Sequence, residues 1–345
     1  KEAAIKPPAP ELLATAKAPE GGEAEVRVVS ERREPPKPGI DPAGITTFGQ
    51  RGLYRSWAAK PYAPRSVVIG STIEYFKIGD FLSDGDDNQR LGARLTLSGT
   101  PIEGLELTGG FSLVQNVNSS FDPGESLSIG DPFLGARYGI QLIDWFALGA
   151  GVQAVFPTGQ GFSQLSTERI STRILFAFDF MPLPEALITL NVGYHFDNTS
   201  RIFDYSLTES QLFSAGVNPH DQVLFTLGFA WQLGPVAPFI EYGMSIAAGS
   251  DAPGFFDSPS WLTIGLRAWP LQFHTWHLIA AVDVGLTGMD PPPGKTHMPP
   301  YNVILGFGYD FGATPEPPVI VRELVRVEKF EVAGAAAKPE LCTSG

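Results

Sequence analysis

Between residues 66 and 311 the chain repeats one pattern. Bulky apolar residues alternate with small or polar ones over about 9–12 positions, and a turn-rich link follows. A period of two means a strand, because successive side chains point to opposite faces. The pattern predicts twelve strands, at 66–76, 89–99, 105–114, 130–140, 145–156 and 169–180, then 186–196, 222–232, 236–246, 261–269, 276–287 and 301–311. In the second strand Leu91, Ala93, Leu95 and Leu97 share a face opposite Gly92, Arg94, Thr96 and Ser98. In the last, Val303, Leu305, Phe307, Tyr309 and Phe311 oppose Asn302, Ile304, Gly306, Gly308 and Asp310. A half-buried sheet in water also alternates. Here, however, the apolar face is large on every strand, and the other face is rich in glycine with isolated charges. That division suits lipid outside and a polar lumen inside.

The links sharpen the choice. Those at 100–104, 141–144, 181–185, 233–235 and 270–275 are short. Those near 77–88, 115–129, 157–168, 197–221, 247–260 and 288–300 are long. Strict alternation of short and long links is the habit of transmembrane barrels, with short periplasmic turns and long extracellular loops. The fold class expected is therefore an all-β antiparallel transmembrane β-barrel of about 12 strands. An even count places both tails on the short-turn side, the periplasm. Closure removes sheet edges, which lipid would leave unsatisfied. Aromatic residues gather at strand ends, as interfacial belts do, although parity points Trp145 and Trp269 inward. Uncharged stretches at 145–167 and 222–240 reach helical membrane-span length, but glycines and "LGPVAP" split them into strand plus link.

Composition sets the boundaries. Residues 1–44 are rich in Pro, Ala, Glu and Lys and read as a disordered periplasmic arm. Residues 45–311 read as the barrel, and 312–345 as a periplasmic tail in which "VIVRELVRVEKFEV" has the pattern of a short strand or helix. The segment Gly49–Pro64 is placed to fold into the barrel and narrow it. A net charge of −13 disfavours nucleic acid, whose phosphates call for clustered Lys and Arg. The single Cys342 excludes an internal disulfide framework. No signal peptide opens the sequence at Lys1, so an exported form is expected to be a mature chain.

The last strand, with Gly306, Tyr309 and Phe311, resembles the closing-strand assembly signal of bacterial outer-membrane barrels. Ile304 departs from its usual polar position. The phrases "GDPFLGARYGI", "NVGYHF", "APFIEYG", "GLRAWP" and "PPYNVILGFGYDFG" make residues 46–311 similar to the barrels of OmpA-family outer-membrane proteins of Gram-negative bacteria. TraB, an outer-membrane exchange factor, has a similar order of barrel and periplasmic part. The resemblance implies the outer membrane, with its lipid and lipopolysaccharide, the barrel-assembly machinery, and protein partners in the periplasm or at the cell surface. It does not extend to a peptidoglycan-binding domain, for which the tail after Phe311 is too short.

Chemistry-bearing motifs are few. "GAGVQA" (Gly149–Ala154) matches a dinucleotide fingerprint but runs through a predicted strand, not into a helix. "DGDDN" (Asp84–Asn88) lacks the distal Glu of a calcium loop. His195 and His277 fall on inward faces and His220, His274 and His297 in links, with no order that would build a catalytic site. No enzyme activity, cofactor or metal is expected. Eleven charges face inward by parity: Glu74, Arg94, Glu106, Asp131, Arg137, Arg173, Asp179, Glu241, Arg267, Asp283 and Asp310. They would either satisfy one another across the lumen or line a pore. Seven are carboxylates and four are arginines, which predicts cation preference if the pore is open. Glu241 and Arg267 are expected to pair across it, and the inward glycines to leave it room. Two functions fit: a passive, porin-like channel for small solutes, or a structural docking protein with a largely closed lumen.

Overall fold

The structure is a computed structural model that describes residues 29–33, 42–122, 124–156, 170–201, 210, 213, 216–250, 252–270, 275–287, 298–311 and 320–324. Twelve antiparallel strands close into one barrel: β1 (Val67–Gly79), β2 (Asp87–Ile102), β3 (Leu105–Asn118), β4 (Glu125–Ile143), β5 (Phe146–Val155), β6 (Ser171–Leu183), β7 (Ala186–Phe196), β8 (Asp221–Trp231), β9 (Val236–Ala248), β10 (Ser260–Ala268), β11 (Trp276–Thr287) and β12 (Tyr301–Asp310). Each strand pairs with its neighbours in sequence, and β12 closes on β1 with Gly308 opposite Gly70. The chain divides into two compact units, Pro38–Pro315, which holds the barrel, and Lys1–Lys37 with Glu316–Gly345. In the second unit Val29–Arg33 pairs antiparallel with Ile320–Leu324, so two tail segments read from composition as arm and tail contain a strand each.

Alternation is realised physically. Every strand turns at least one large apolar side chain outward, for example Ile73, Leu95, Leu107, Leu134, Val152 and Phe176 on β1 to β6. Val192, Leu227, Ile240, Ile264, Leu278 and Leu305 continue the series on β7 to β12. Such a continuous apolar exterior would be costly in water and suits a hydrocarbon surround. The inner faces carry the buried polar residues, among them Glu106, Asp179, Glu241 and Arg267.

Two expectations change. The links near 77–88 and 115–129 contract to 80–86 and 119–124, because β2 and β4 run to 16 and 19 residues. A tilted span needs only about 9–11 residues. At the long-link ends the extra length opens on polar residues, Asp87–Asn88 in β2 and Glu125–Ser126 in β4, which hydropathy does not register as strand. As a result the connection at 80–86 is no longer than the one at 269–275. Trp145 also points outward, 53% exposed against the ring of Phe146, because it lies in the turn before β5 and escapes strand parity. Gly104 and Gly234 close two of the short turns at φ +79° and +62°, a region where a Cβ is disfavoured.

Candidate functional site: the occupied lumen

The chain before β1 lies inside the barrel. Gly44–Ile45 and Arg51–Gly52 form a small antiparallel hairpin. Its tip is held by Thr46 N–H donating to the Gln50 carbonyl at 2.8 Å and by Gly49 at φ +88°. A second turn follows, with Leu53 N–H donating to the Ser56 carbonyl. Leu53, Tyr54, Ser56, Ala58 and Ala59 have no exposure at all. A stretch this small cannot bury itself, so the wall must do it. Tyr54, Leu53 and Ala58 form one apolar cluster with Phe239, Ala230, Ile279 and Ile304 of the wall, while Trp57 and Ala59 pack with Ala147, Leu175 and Ala177.

Compact irregular backbone leaves N–H and C=O groups unpaired, and in a water-poor lumen each must find a partner. The wall's charges supply them. The Glu241 carboxylate accepts the consecutive N–H groups of Tyr54, Arg55 and Ser56 at 3.1, 3.1 and 2.7 Å. Arg267, fully buried, donates to the carbonyls of Pro42, Ile45, Gly52 and Leu53 at 2.9–3.2 Å. Asp179 accepts from Ala59 N–H at 2.8 Å. Asn191 accepts from Trp57 N–H and donates to its carbonyl, with Thr189 donating to the same carbonyl. Glu106 accepts from Arg51 N–H, from Ser98 and from Arg137, and Arg137 in turn donates to the Ala58 carbonyl. Asp283 pairs with Arg55 and accepts from Thr263. Glu74 accepts from the Tyr54 hydroxyl and from Asn302. Burial first, and the Glu74 carboxylate second, push the Tyr54 phenol above its ordinary range, so it stays a neutral donor.

This revises two expectations. Glu241 and Arg267 do not pair across the lumen. The β9–β10 register sets Glu241 opposite Thr263 and Arg267 opposite Ala237, four residues apart in depth. Each takes up backbone groups of the inner segment instead. The inward glycines likewise leave no open space where the segment runs. A methyl group at Gly139 or Gly149 would overlap the Ala59 carbonyl, one at Gly228 would meet Leu53, one at Gly70 would meet Ile45, and one at Gly308 would meet the His277 ring first and then Ile45. The glycines form the seat of the segment.

The remaining inward charges lie around its tip and exit. Arg94 donates to the Thr47 hydroxyl at 2.7 Å, and its guanidinium lies 4.8 Å from the centre of the Phe48 ring. Arg173 lies 4.7 Å from the same ring. Asp131 sits where the β3–β4 register slips between Gly110 and Ser112, near Arg173. Asp310 lies at the short-turn end, near Tyr62. Of the closing-strand residues, Gly306 faces Thr72 and Ile279, while the Tyr309 and Phe311 rings point outward with centroids 4.6 Å apart. The sequence motifs have structural uses. Asp86 of "DGDDN" accepts from the N–H groups of Phe81, Leu82 and Ser83 and from Asn118. "GAGVQA" lies within β5. Among the described residues no group of three or more His, Cys, Asp or Glu side chains is arranged to hold a metal ion.

No protein-family model and no curated protein matches this chain. Solved structures do. An outer-membrane channel from Pseudomonas putida F1 superposes with a TM-score of 0.52 at 14% identity, over 73% of this chain and 98% of the other. The KdgM porin gives 0.43 at 10% identity over 70% and 98%, and the NanC porin 0.43 at 10% over 71% and 98%. The similarity to the first structure establishes a shared barrel fold.

What inward residues can do depends on depth. On β2, Thr96, Ser98 and Thr100 are buried while Gly92 and Arg94 keep some exposure. On β6, Leu175, Ala177 and Asp179 are buried while Arg173 keeps some. The segment's tip, Thr47–Phe48, reaches the level of Arg94 and Arg173, and beyond it Asn88 and Ser171 are buried as well. Above it, toward the long connections, Phe76, Phe81, Leu82 and Phe213 pack together on the β1 side.

Proposed function

We propose that the chain is a bacterial outer-membrane pore for small solutes whose conductance is governed by the inner segment 42–63. The observation that carries this reading is the way the segment is held. It is fixed by wall charges that grip its backbone, not by a continuous strand of the sheet, so it can leave without opening the barrel. The channel that shares the fold is consistent with this use of a twelve-stranded wall. The orientation proposed has both tails in the periplasm and the long connections outside.

Selectivity follows from which charges the segment occupies. Glu106, Asp179, Glu241 and Asp283 all serve the segment or its Arg55. With the segment in place they have little to offer a passing ion. With it displaced they face the lumen, and acidic linings select cations. Cation preference is therefore proposed for the emptied barrel. The other reading, a closed structural barrel of OmpA-like or TraB-like type with docking partners, is favoured by how completely the segment is buried.

Planar-bilayer recording separates the two. The intact protein should show small or brief openings, and a variant lacking residues 43–59 large, stable, cation-preferring ones. A deletion variant that assembles yet does not conduct would refute the pore and leave the structural reading.

A further inference from the structure

Above the tip of the inner segment, three inward side chains stand side by side on neighbouring strands. The registers set Gln153 opposite Arg173 across β5–β6, and Arg173 opposite His195 across β6–β7. Several of their polar atoms make no hydrogen bond. Gln153 is fully buried, and neither its Oε1 nor its Nε2 makes a hydrogen bond. The Arg173 Nε is buried without an acceptor. His195 is 5% exposed, and its ring approaches Asp197, at 3.6 Å, and Gln222 without a well-formed hydrogen bond. Buried polar groups without partners are destabilising and rare, so several in one row call for a ligand or water. Beside them lies the Phe48 ring, with Arg94 and Arg173 both against it. The two guanidinium carbons are 4.8 and 4.7 Å from one ring centre, so they are at most about 9.5 Å apart. Arg94 is already bonded to Thr47, so of the two guanidiniums on the Phe48 ring Arg173 is the one with an unbonded Nε.

We propose that Gln153, Arg173 and His195, with Arg94 and Phe48 beside them, bind a small monocarboxylate that enters from the long-connection end. The guanidinium fork matches a carboxylate. The Gln153 amide can donate to the same group, and the Phe48 ring offers an apolar edge to the rest of the molecule. A dianion is disfavoured, because Asp131 and Asp197 both lie near Arg173. This names a solute class for the pore proposed above and rests on that reading for the route of entry. Binding itself does not require conduction.

The test uses the purified full chain in detergent and trifluoroacetate followed by fluorine NMR. Saturable broadening is expected, with trifluoroethanol giving none. Acetate should displace the probe, and inorganic phosphate at equal concentration should not. Arg173→Gln and, independently, Gln153→Leu should each weaken binding about tenfold or more, given the strength of hydrogen bonds to charged groups. Heat-modifiable mobility identifies the folded variants, and either one suffices. Absence of saturable broadening, unchanged affinity in a folded variant, or equal displacement by phosphate would overturn the proposal. Binding in a protein that never conducts would support this site and sink the pore. A conducting protein that does not bind trifluoroacetate would do the reverse.

Discussion

Replacing Arg267 by Met tests how the inner segment is held. Methionine keeps most of the apolar stem, and the guanidinium is lost. Four carbonyls then lose their donor at once: those of Pro42, Ile45, Gly52 and Leu53. Hydrogen bonds to charged groups contribute roughly 1.5–3 kcal/mol each, so simple addition gives about 6–12 kcal/mol. That sum is too large. The four bonds share one side chain and are not independent, and water entering from the nearby short-turn end can serve part of the exposed backbone. Loss of one partner from a buried charged arrangement typically costs about 3–5 kcal/mol. This is the figure expected here.

The four bonds lost all go to the segment, so the loss falls on the segment's seating. A shift of 3–5 kcal/mol toward the displaced segment multiplies the displaced population by roughly 10²–10³ or more. Two measurements should move together. Openings in planar bilayers should lengthen or multiply, and a cysteine at Ser56, fully buried in the intact protein, should become reactive toward a small thiol reagent. The background would carry Cys342→Ser. Unchanged reactivity at position 56 in a correctly assembled Arg267→Met barrel would show that apolar packing, not the wall's charges, holds the segment.

Further outcomes follow from the same geometry. Gly139→Val should unseat the segment, because its Cβ would overlap the Ala59 carbonyl; greater protease sensitivity between 42 and 63 would register it, and wild-type resistance would refute the glycine seat. Phe311→Ala or Tyr309→Ala should lower the amount assembled in the membrane, read as loss of the heat-modifiable band; a wild-type level would remove the assembly role of the closing strand. A cysteine at Asp84, exposed in the 80–86 connection, should label with an impermeant reagent on whole cells and one at Glu103 should not; the opposite result would invert the orientation. Asp86, at 3% exposure and bonded to three backbone N–H groups, is unsuitable for that purpose.

The barrel was legible in the sequence because a closed sheet between two solvents writes its geometry at period two. Ile174, Phe176 and Phe180 on one side and Arg173, Leu175 and Asp179 on the other could be assigned without knowing any contact. Strand ends were less legible. The additions "DN" in β2 and "ESLSI" in β4 lie at the long-link ends, outside the predicted bounds 89–99 and 130–140. The inner segment was harder still. "GITTFGQRGLYRSWAA" has no period, since its backbone is satisfied by side chains distant in sequence: Glu241 binds Tyr54 across 187 positions and Arg267 binds Pro42 across 225. Sequence reasoning suggested a constriction at Gly49–Pro64 from position alone, and the structure starts it at Pro42.

Inward glycines signal the segment, yet the same signal stands for open space. Gly70, Gly139, Gly149, Gly228 and Gly308 all fall on the inward parity, and an inward glycine looks like room. Room in a wall and a seat for a second backbone leave the same trace, because both remove the Cβ. The inward charges distinguish them. In a wide aqueous lumen, Arg267 and Glu241 would be solvated. In a lumen closed by the segment, each must be matched to several backbone groups at once, which is the arrangement observed. Isolated inward charges beside inward glycines, on strands with no partner of opposite sign at the same depth, therefore mark a site where irregular backbone is held. Arg173 is also an inward charge, but it stands at the segment's tip, against the Phe48 ring, with the unbonded Gln153 beside it. That position is what separates a recognition site from a retaining one in this barrel.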